Sequence, residues 1–168
     1  KAIYSQGTYD LTDTVSLTAG LRYTDDKTEG DVTDTIYKFP LAPPGEFAPP
    51  DQELTQVERR TPSADSSKPT WLLGVDYTPE DDMMLYAKYT RGYRQGSVNV
   101  AGSTGVDTHG PETVDTYEIG TKTSFHGSMP ATFNMALFYN DFQDQQIQFG
   151  YFNSAGVGTT GITNAGSS

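Results

Sequence analysis

The sequence predicts an all-β fold, an antiparallel up-and-down meander of about six strands, and three observations carry that reading. Apolar and polar residues alternate with period two in several stretches. Short, turn-rich connections alternate with long ones. Gly (17), Tyr (11) and Phe (8) are plentiful, which favours pleated surfaces and turns over helices.

The clearest strand is Val15 to Tyr23, where Val15, Leu17, Ala19, Leu21 and Tyr23 alternate with Ser16, Thr18, Gly20 and Arg22. Its partner is Ala2 to Tyr9, joined through Asp10-Leu11-Thr12-Asp13-Thr14, a connection short enough for a hairpin. Thr70 to Tyr77 repeats the pattern with Trp71, Leu73, Val75 and Tyr77 on one face. The turn Thr78-Pro79-Glu80-Asp81-Asp82 leads into Met83 to Arg94, with Leu85, Ala87 and Tyr89 opposite Tyr86, Lys88 and Thr90. A third pair follows. Val114 to Phe125 alternates Tyr117, Ile119, Thr121, Thr123 and Phe125 against Glu118, Gly120, Lys122 and Ser124; after His126–Pro130 the chain continues from Ala131 to about Gln148.

The hairpins therefore span about 2–23, 70–94 and 113–148, and the long connections are 24–69, 95–112 and 148–168. In an up-and-down meander alternate connections emerge at the same end, so tight turns gather at one rim and long loops at the other. Outer-membrane barrels show that asymmetry, and the expectation is a part of a large transmembrane β-barrel. No run of about 18 apolar residues is present, but a β-strand crosses a bilayer in only about 9–11 residues. Tyr9, Tyr23 and Tyr77 stand at strand ends, where an aromatic girdle would meet lipid headgroups. Segment 24–69 carries seven of the ten prolines and ten acidic against five basic residues, and is expected not to be central sheet.

Composition excludes several functions. The net charge of −11 repels the phosphate backbone, so no nucleic-acid partner is expected. With no cysteine there is no disulfide, thiolate metal site or cysteine nucleophile. Gly156-Val-Gly-Thr-Thr-Gly161 fits a dinucleotide fingerprint in letters only, since no helix follows and the chain ends at Ser168. His109 and His126 fall in connections at opposite rims and make no metal pair. The Asp25, Asp26, Glu29, Asp31 and Asp34 group lacks an EF-hand pattern. No catalytic residue, metal or cofactor is predicted, and the chain is not expected to be an enzyme.

Three stretches resemble the barrel of TonB-dependent outer-membrane receptors. They are Lys68 to Arg94 (KPTWLLGVDYTPEDDMMLYAKYTRGYR), Gly110 to Lys122 with FNMALFYND from Phe133, and the opening Tyr4–Tyr9 with LTAGLRYT from Leu17. The resemblance implies an internal fragment of a β-barrel domain of about 22 strands, with the plug domain and the TonB-pairing segment absent from this stretch. It implies location in the bacterial outer membrane, contact with lipid, and active uptake of a ferric siderophore or another scarce nutrient powered through TonB. Ligand contacts implied on that scheme are Arg91, Tyr93 and Arg94 near the loop end, with Glu118 and Lys122 lower on a lumen face.

The alternative is a soluble or self-assembling β-sheet, an adhesin-like or carbohydrate-binding module with its aromatics as a sugar platform. Six strands leave two open edges, so edge-to-edge self-association of the fragment is a further expectation.

Overall fold

The computed structural model describes residues 1–38, 53–100, 105–152, 156 and 158–166. Twelve strands and no helix occur among them: β1 (Ala2–Thr12), β2 (Val15–Glu29), β3 (Val32–Lys38), β4 (Glu53–Arg60), β5 (Ser63–Glu80), β6 (Met83–Arg94), β7 (Ser97–Val98), β8 (Thr108–His109), β9 (Glu112–Phe125), β10 (Ala131–Gln143), β11 (Gln145–Phe152) and β12 (Gly158–Ala165). Six of them form one antiparallel sheet in the order β1-β2-β5-β6-β9-β10. The remaining six make the two-stranded ladders β3-β4, β7-β8 and β11-β12, all in the long connections.

Local chemistry fixes the tight turns. Thr12 Oγ1 accepts from the backbone N–H groups of Thr14 (3.2 Å) and Val15 (3.0 Å), so a threonine side chain satisfies the donors that the β1–β2 turn leaves unpaired. Pro79 falls where the β5–β6 register shifts between Tyr77 and Glu80, a place where a missing N–H disturbs no regular ladder.

Cross-strand register collects the alternating residues into two faces. Along one row Tyr9, Leu17, Val75, Ala87, Ile119 and Leu137 are successive neighbours, and along the next Ala19, Leu73, Tyr89, Tyr117 and Tyr139. The opposite face carries Thr8, Thr18, Lys88 and Glu118 in one row. The apolar face is the more open: Leu21 is 61%, Leu137 63% and Ile119 57% exposed. On β2 and β5 the polar face is half-buried, as the concave side of a curved sheet would be.

Among the described residues no protein core lies beneath this face. Among the described residues Val32 is the only buried apolar one. The accessible surface is 11902 Å², against roughly 8,100 Å² for a compact soluble protein of 18.3 kDa. An apolar face of this extent is stable only against another apolar medium.

The hairpin ends also step. Taking the row Val15–Tyr77–Leu85–Thr121–Met135 as level, the first hairpin closes there, the second at Glu80–Met83 and the third at Phe125–Ala131, about two residues further each time. A regular stagger of this kind tilts the strands, as closure into a barrel requires. Aromatics then fall in two belts: Tyr9, Tyr77, Phe125 and Phe133 towards the turns, and Tyr23, Trp71, Tyr89, Tyr117 and Tyr139 towards the loops. Phe125 to Tyr117 is eight residues of β9, about 27 Å along the strand and roughly 21 Å when tilted by about 40°, close to the apolar band of a transmembrane barrel.

The long connection 24–69 differs from the expectation. β2 runs on to Glu29 and β5 starts at Ser63, so Pro69 lies inside a strand, opposite Tyr23. The pairing of β5 with β6 ends at Trp71–Arg91, leaving β5 a neighbour on one side only at Pro69, where proline is tolerated. Prolines 40, 43, 44, 49 and 50 lie outside the described residues. The third hairpin ends short of the expected 148: β10 stops at Gln143, because Asp144 takes a left-handed backbone (φ 54°), and β11 starts at Gln145 to pair with β12.

Candidate functional site

The polar face carries a linked cluster at mid-height. Lys88 and Glu118 are opposite each other on β6 and β9; Tyr86 donates its hydroxyl to Glu118 Oε1 (2.8 Å) and Lys88 Nζ donates to the same oxygen (3.4 Å). Lys122 lies with its Nζ 5.7 Å from the centre of the Tyr86 ring. Gly120 makes this possible, because a Cβ there would stand 2.6 Å from the Tyr86 ring and 2.6 Å from the Met135 carbonyl. The sequence-predicted Glu118 and Lys122 are thus brought together through Tyr86.

Arg91 is placed on the opposite, apolar face. It makes a two-point salt bridge with Asp115, donating from Nε (2.8 Å) and from its terminal nitrogen, while Tyr89 donates its hydroxyl to the same carboxylate (3.0 Å). The guanidinium lies 4.7 Å from the centre of the Trp71 ring, and Tyr89 stacks on Tyr117 at 4.9 Å. Asp115 is only 6% exposed. The period-two count that turns Tyr89 outward turns Arg91 outward as well, a signal that nearness to the loop end obscures.

Tyr93 reaches across to the upper parts of β5 and β2. Its hydroxyl is 2.6 Å from Ser66 Oγ and donates to Asp26 Oδ2 (3.2 Å). Arg94 is different. It ends β6 exposed, in register with Glu112, and among the described residues no hydrogen bond or ion pair engages it.

Above Arg94 three amide side chains sew the long connections together, a feature without any sequence signal. Asn99 donates to the carbonyls of Val106 (2.8 Å) and Ile162 (2.8 Å) and accepts from the Ile162 N–H (3.1 Å). Asn164 accepts from the Gly110 N–H (2.6 Å) and donates to the carbonyls of Gly110 (3.1 Å) and Asp144 (2.7 Å). Gln146 donates to the carbonyls of Gln95 (2.8 Å) and Gly110 (2.9 Å), and its own N–H is taken by Glu112 (2.7 Å). Arg60 pairs with Asp107, which ties the end of β4 to the same assembly.

A depression of about 680 Å³ lies over Ala87, walled by Leu73, Val75, Ile119, Leu137 and Tyr139. Lys88 and Glu118 also border it, and Arg94 is not among its lining residues. No group of three or more metal-ligating side chains occurs among the described residues.

Comparison with known proteins agrees with this geometry. A family model described as "TonB dependent receptor-like, beta-barrel" matches residues 1–168. The pesticin receptor of Yersinia enterocolitica is 26% identical over 167 residues, covering 98% of this chain and 21% of the relative. That of Yersinia pestis is 26% identical over 151 residues, covering 89% and 20%. The chain thus spans about a fifth of the length of the curated relatives it matches.

Among solved structures, the ferric yersiniabactin uptake receptor FyuA from Yersinia pestis superposes with a TM-score of 0.66 at 20% identity, over 99% of this chain and 22% of that one. A double mutant of the Serratia marcescens hemophore receptor HasR, in complex with its hemophore HasA and heme, gives 0.69 at 18% identity, over 97% and 29%. Proteins of this kind are outer-membrane barrels, which makes the apolar face the lipid face and the polar face the lumen wall. The match over every residue shows that this chain belongs to the TonB-dependent receptor β-barrel family.

Proposed function

We infer that the chain is part of the barrel wall of an outer-membrane receptor that imports a scarce nutrient, with energy passed from the inner membrane through TonB. The observation that carries this reading is the two-faced sheet: an exposed apolar surface framed by two aromatic belts, backed by a polar wall that ends in sewn external hairpins. A ferric siderophore is the favoured ligand, supported by the likeness to the ferric yersiniabactin receptor; heme is the second candidate, from the likeness to the hemophore receptor. The role is transport and not catalysis.

Arg94 is the residue assigned to first contact with an anionic chelate, since it is exposed at the loop end with its charge uncommitted. Tyr93 positions the β5 and β2 tops beside it. Glu118 and Lys122 line the deeper path, while Arg91 serves the lipid boundary. The open edges of β1 and β10 pair with further strands of the same barrel.

The test is uptake of iron-labelled siderophores and of heme by cells carrying the full-length receptor, with and without TonB. Accumulation that requires both receptor and TonB supports the reading. Equal accumulation without the receptor, or folding of the full-length protein as a lipid-independent soluble particle, would sink it and favour the surface-module alternative.

A further inference from the structure

Where β7 and β8 meet, the chain buries a histidine. His109 is 8% exposed, and its Nδ1 is buried without a hydrogen-bond partner. Its backbone pairs with Ser97, and its carbonyl lies where a side chain on Gly96 would stand, 2.6 Å from the position of a Cβ. The β7–β8 ladder is wedged between the tops of β2 and β5 on one side and β12 on the other. Val98 fills the space against Gly30 of the β2–β3 turn, and Asn99 carries the link to Ile162.

Among the described residues, the charges on the elements packed against the ring are partly committed to other partners. On its own hairpin Asp107 is held by Arg60 of β4, and at the start of β9 Glu112 is held by the Gln146 N–H. β7 and β12 contain no titratable side chain. The upper parts of β2 and β5 carry Asp25, Asp26, Lys27, Glu29, Asp65 and Lys68, of which Asp26 is engaged by Tyr93 and Lys27 by Glu29. The charge that acts on His109 is Arg94 of β6.

We propose that the β7–β8 and β11–β12 hairpins form one external clasp, latched while His109 is neutral and loosened when its ring gains a proton. A neutral imidazole fits the buried seam. An imidazolium would bring an unsolvated charge beside Arg94, and among the described residues no carboxylate is paired with the ring.

Burial first, and Arg94 second, hold the imidazole below its ordinary range. The opened clasp returns the ring to about pKa 6.5, so closure is at full strength above that pH and weakens as the pH falls below it. Asn99 and Asn164 transmit the loosening from β8 to β11–β12.

Hydrogen–deuterium exchange on the full-length receptor in lipid nanodiscs, corrected for the intrinsic effect of pH, tests this. On going from pH 7.5 to pH 5, the amides of β7, β8, β11 and β12 should lose protection together, by about tenfold or more, while β9 stays protected. The His109→Gln protein should keep the same protection at both values, and His109→Phe provides a second neutral ring replacement where the amide does not pack. Arg94→Gln should shrink the pH effect. Unchanged protection in the wild-type protein, an equal loss in the neutral variants, or loss in one hairpin without the other would overturn the proposal. These readouts do not depend on which ligand is imported.

Discussion

Arg91 and Asp115 face each other across β6 and β9 on the lipid side of the sheet, joined at two points and capped by the Tyr89 hydroxyl. They stand at the upper aromatic belt, where the apolar band gives way to water. Trp71 covers the guanidinium and Tyr117 backs Tyr89, so the pair closes the band with no net charge turned towards lipid.

Removing one partner should therefore be worse than removing both. Asp115→Ala leaves a guanidinium in a half-buried apolar setting and is expected to destabilise the barrel by about 3–5 kcal/mol, whereas Arg91→Met combined with Asp115→Leu should recover most of that loss. Reversible urea unfolding of the full-length receptor in bilayers would report it. Equal losses from the single and double variants would show that the pair is not energetically coupled.

Gly120 should resist enlargement. Its missing side chain is the space taken by the Tyr86 ring, and the Met135 carbonyl closes the other side. Gly120→Ala is expected to cost about 1–3 kcal/mol through displacement of Tyr86, and so to release Glu118 from the tyrosine hydroxyl. Because the Met135 contact is backbone, adding Tyr86→Ala should relieve only part of the cost.

Position on the sheet should decide the effect of a new charge. Leu73→Arg places a cation at mid-band on the lipid face and is expected to cost about 2–4 kcal/mol in a bilayer, while Thr18→Arg on the lumen wall should cost far less. Similar penalties at the two sites would contradict the assignment of the faces.

Charge reversal at Arg94 should weaken capture of an anionic chelate without altering stability. Arg94→Glu is expected to raise the Kd at least tenfold, about 1.4 kcal/mol, and to leave the unfolding midpoint unchanged. Isothermal titration with the purified full-length receptor measures the first and urea unfolding the second.

The tight turns, the two-faced hairpins and the family were legible in the sequence because they rest on local pattern. Period-two alternation from Val15 to Tyr23 fixes both a strand and its faces within nine residues, since successive side chains must point to opposite sides. Prolines were the weaker guide: they suggested loop throughout 24–69, yet Pro69 sits in β5 because the β6 neighbour has already ended there.

What tertiary structure alone decided is which distant residues share a row. Asp115 meets Arg91 and Glu118 meets Lys88 through the β6–β9 register, and Asn99 finds Ile162 across 63 positions of chain. The charges that sequence grouped at the loop end were thereby separated: Arg91 to lipid, Tyr93 to the strand tops, Arg94 to open solvent. The physical reason is that alternation is written into each strand, whereas register is set jointly by the turns and by every neighbouring strand, so a residue's partners belong to the sheet and not to its own segment.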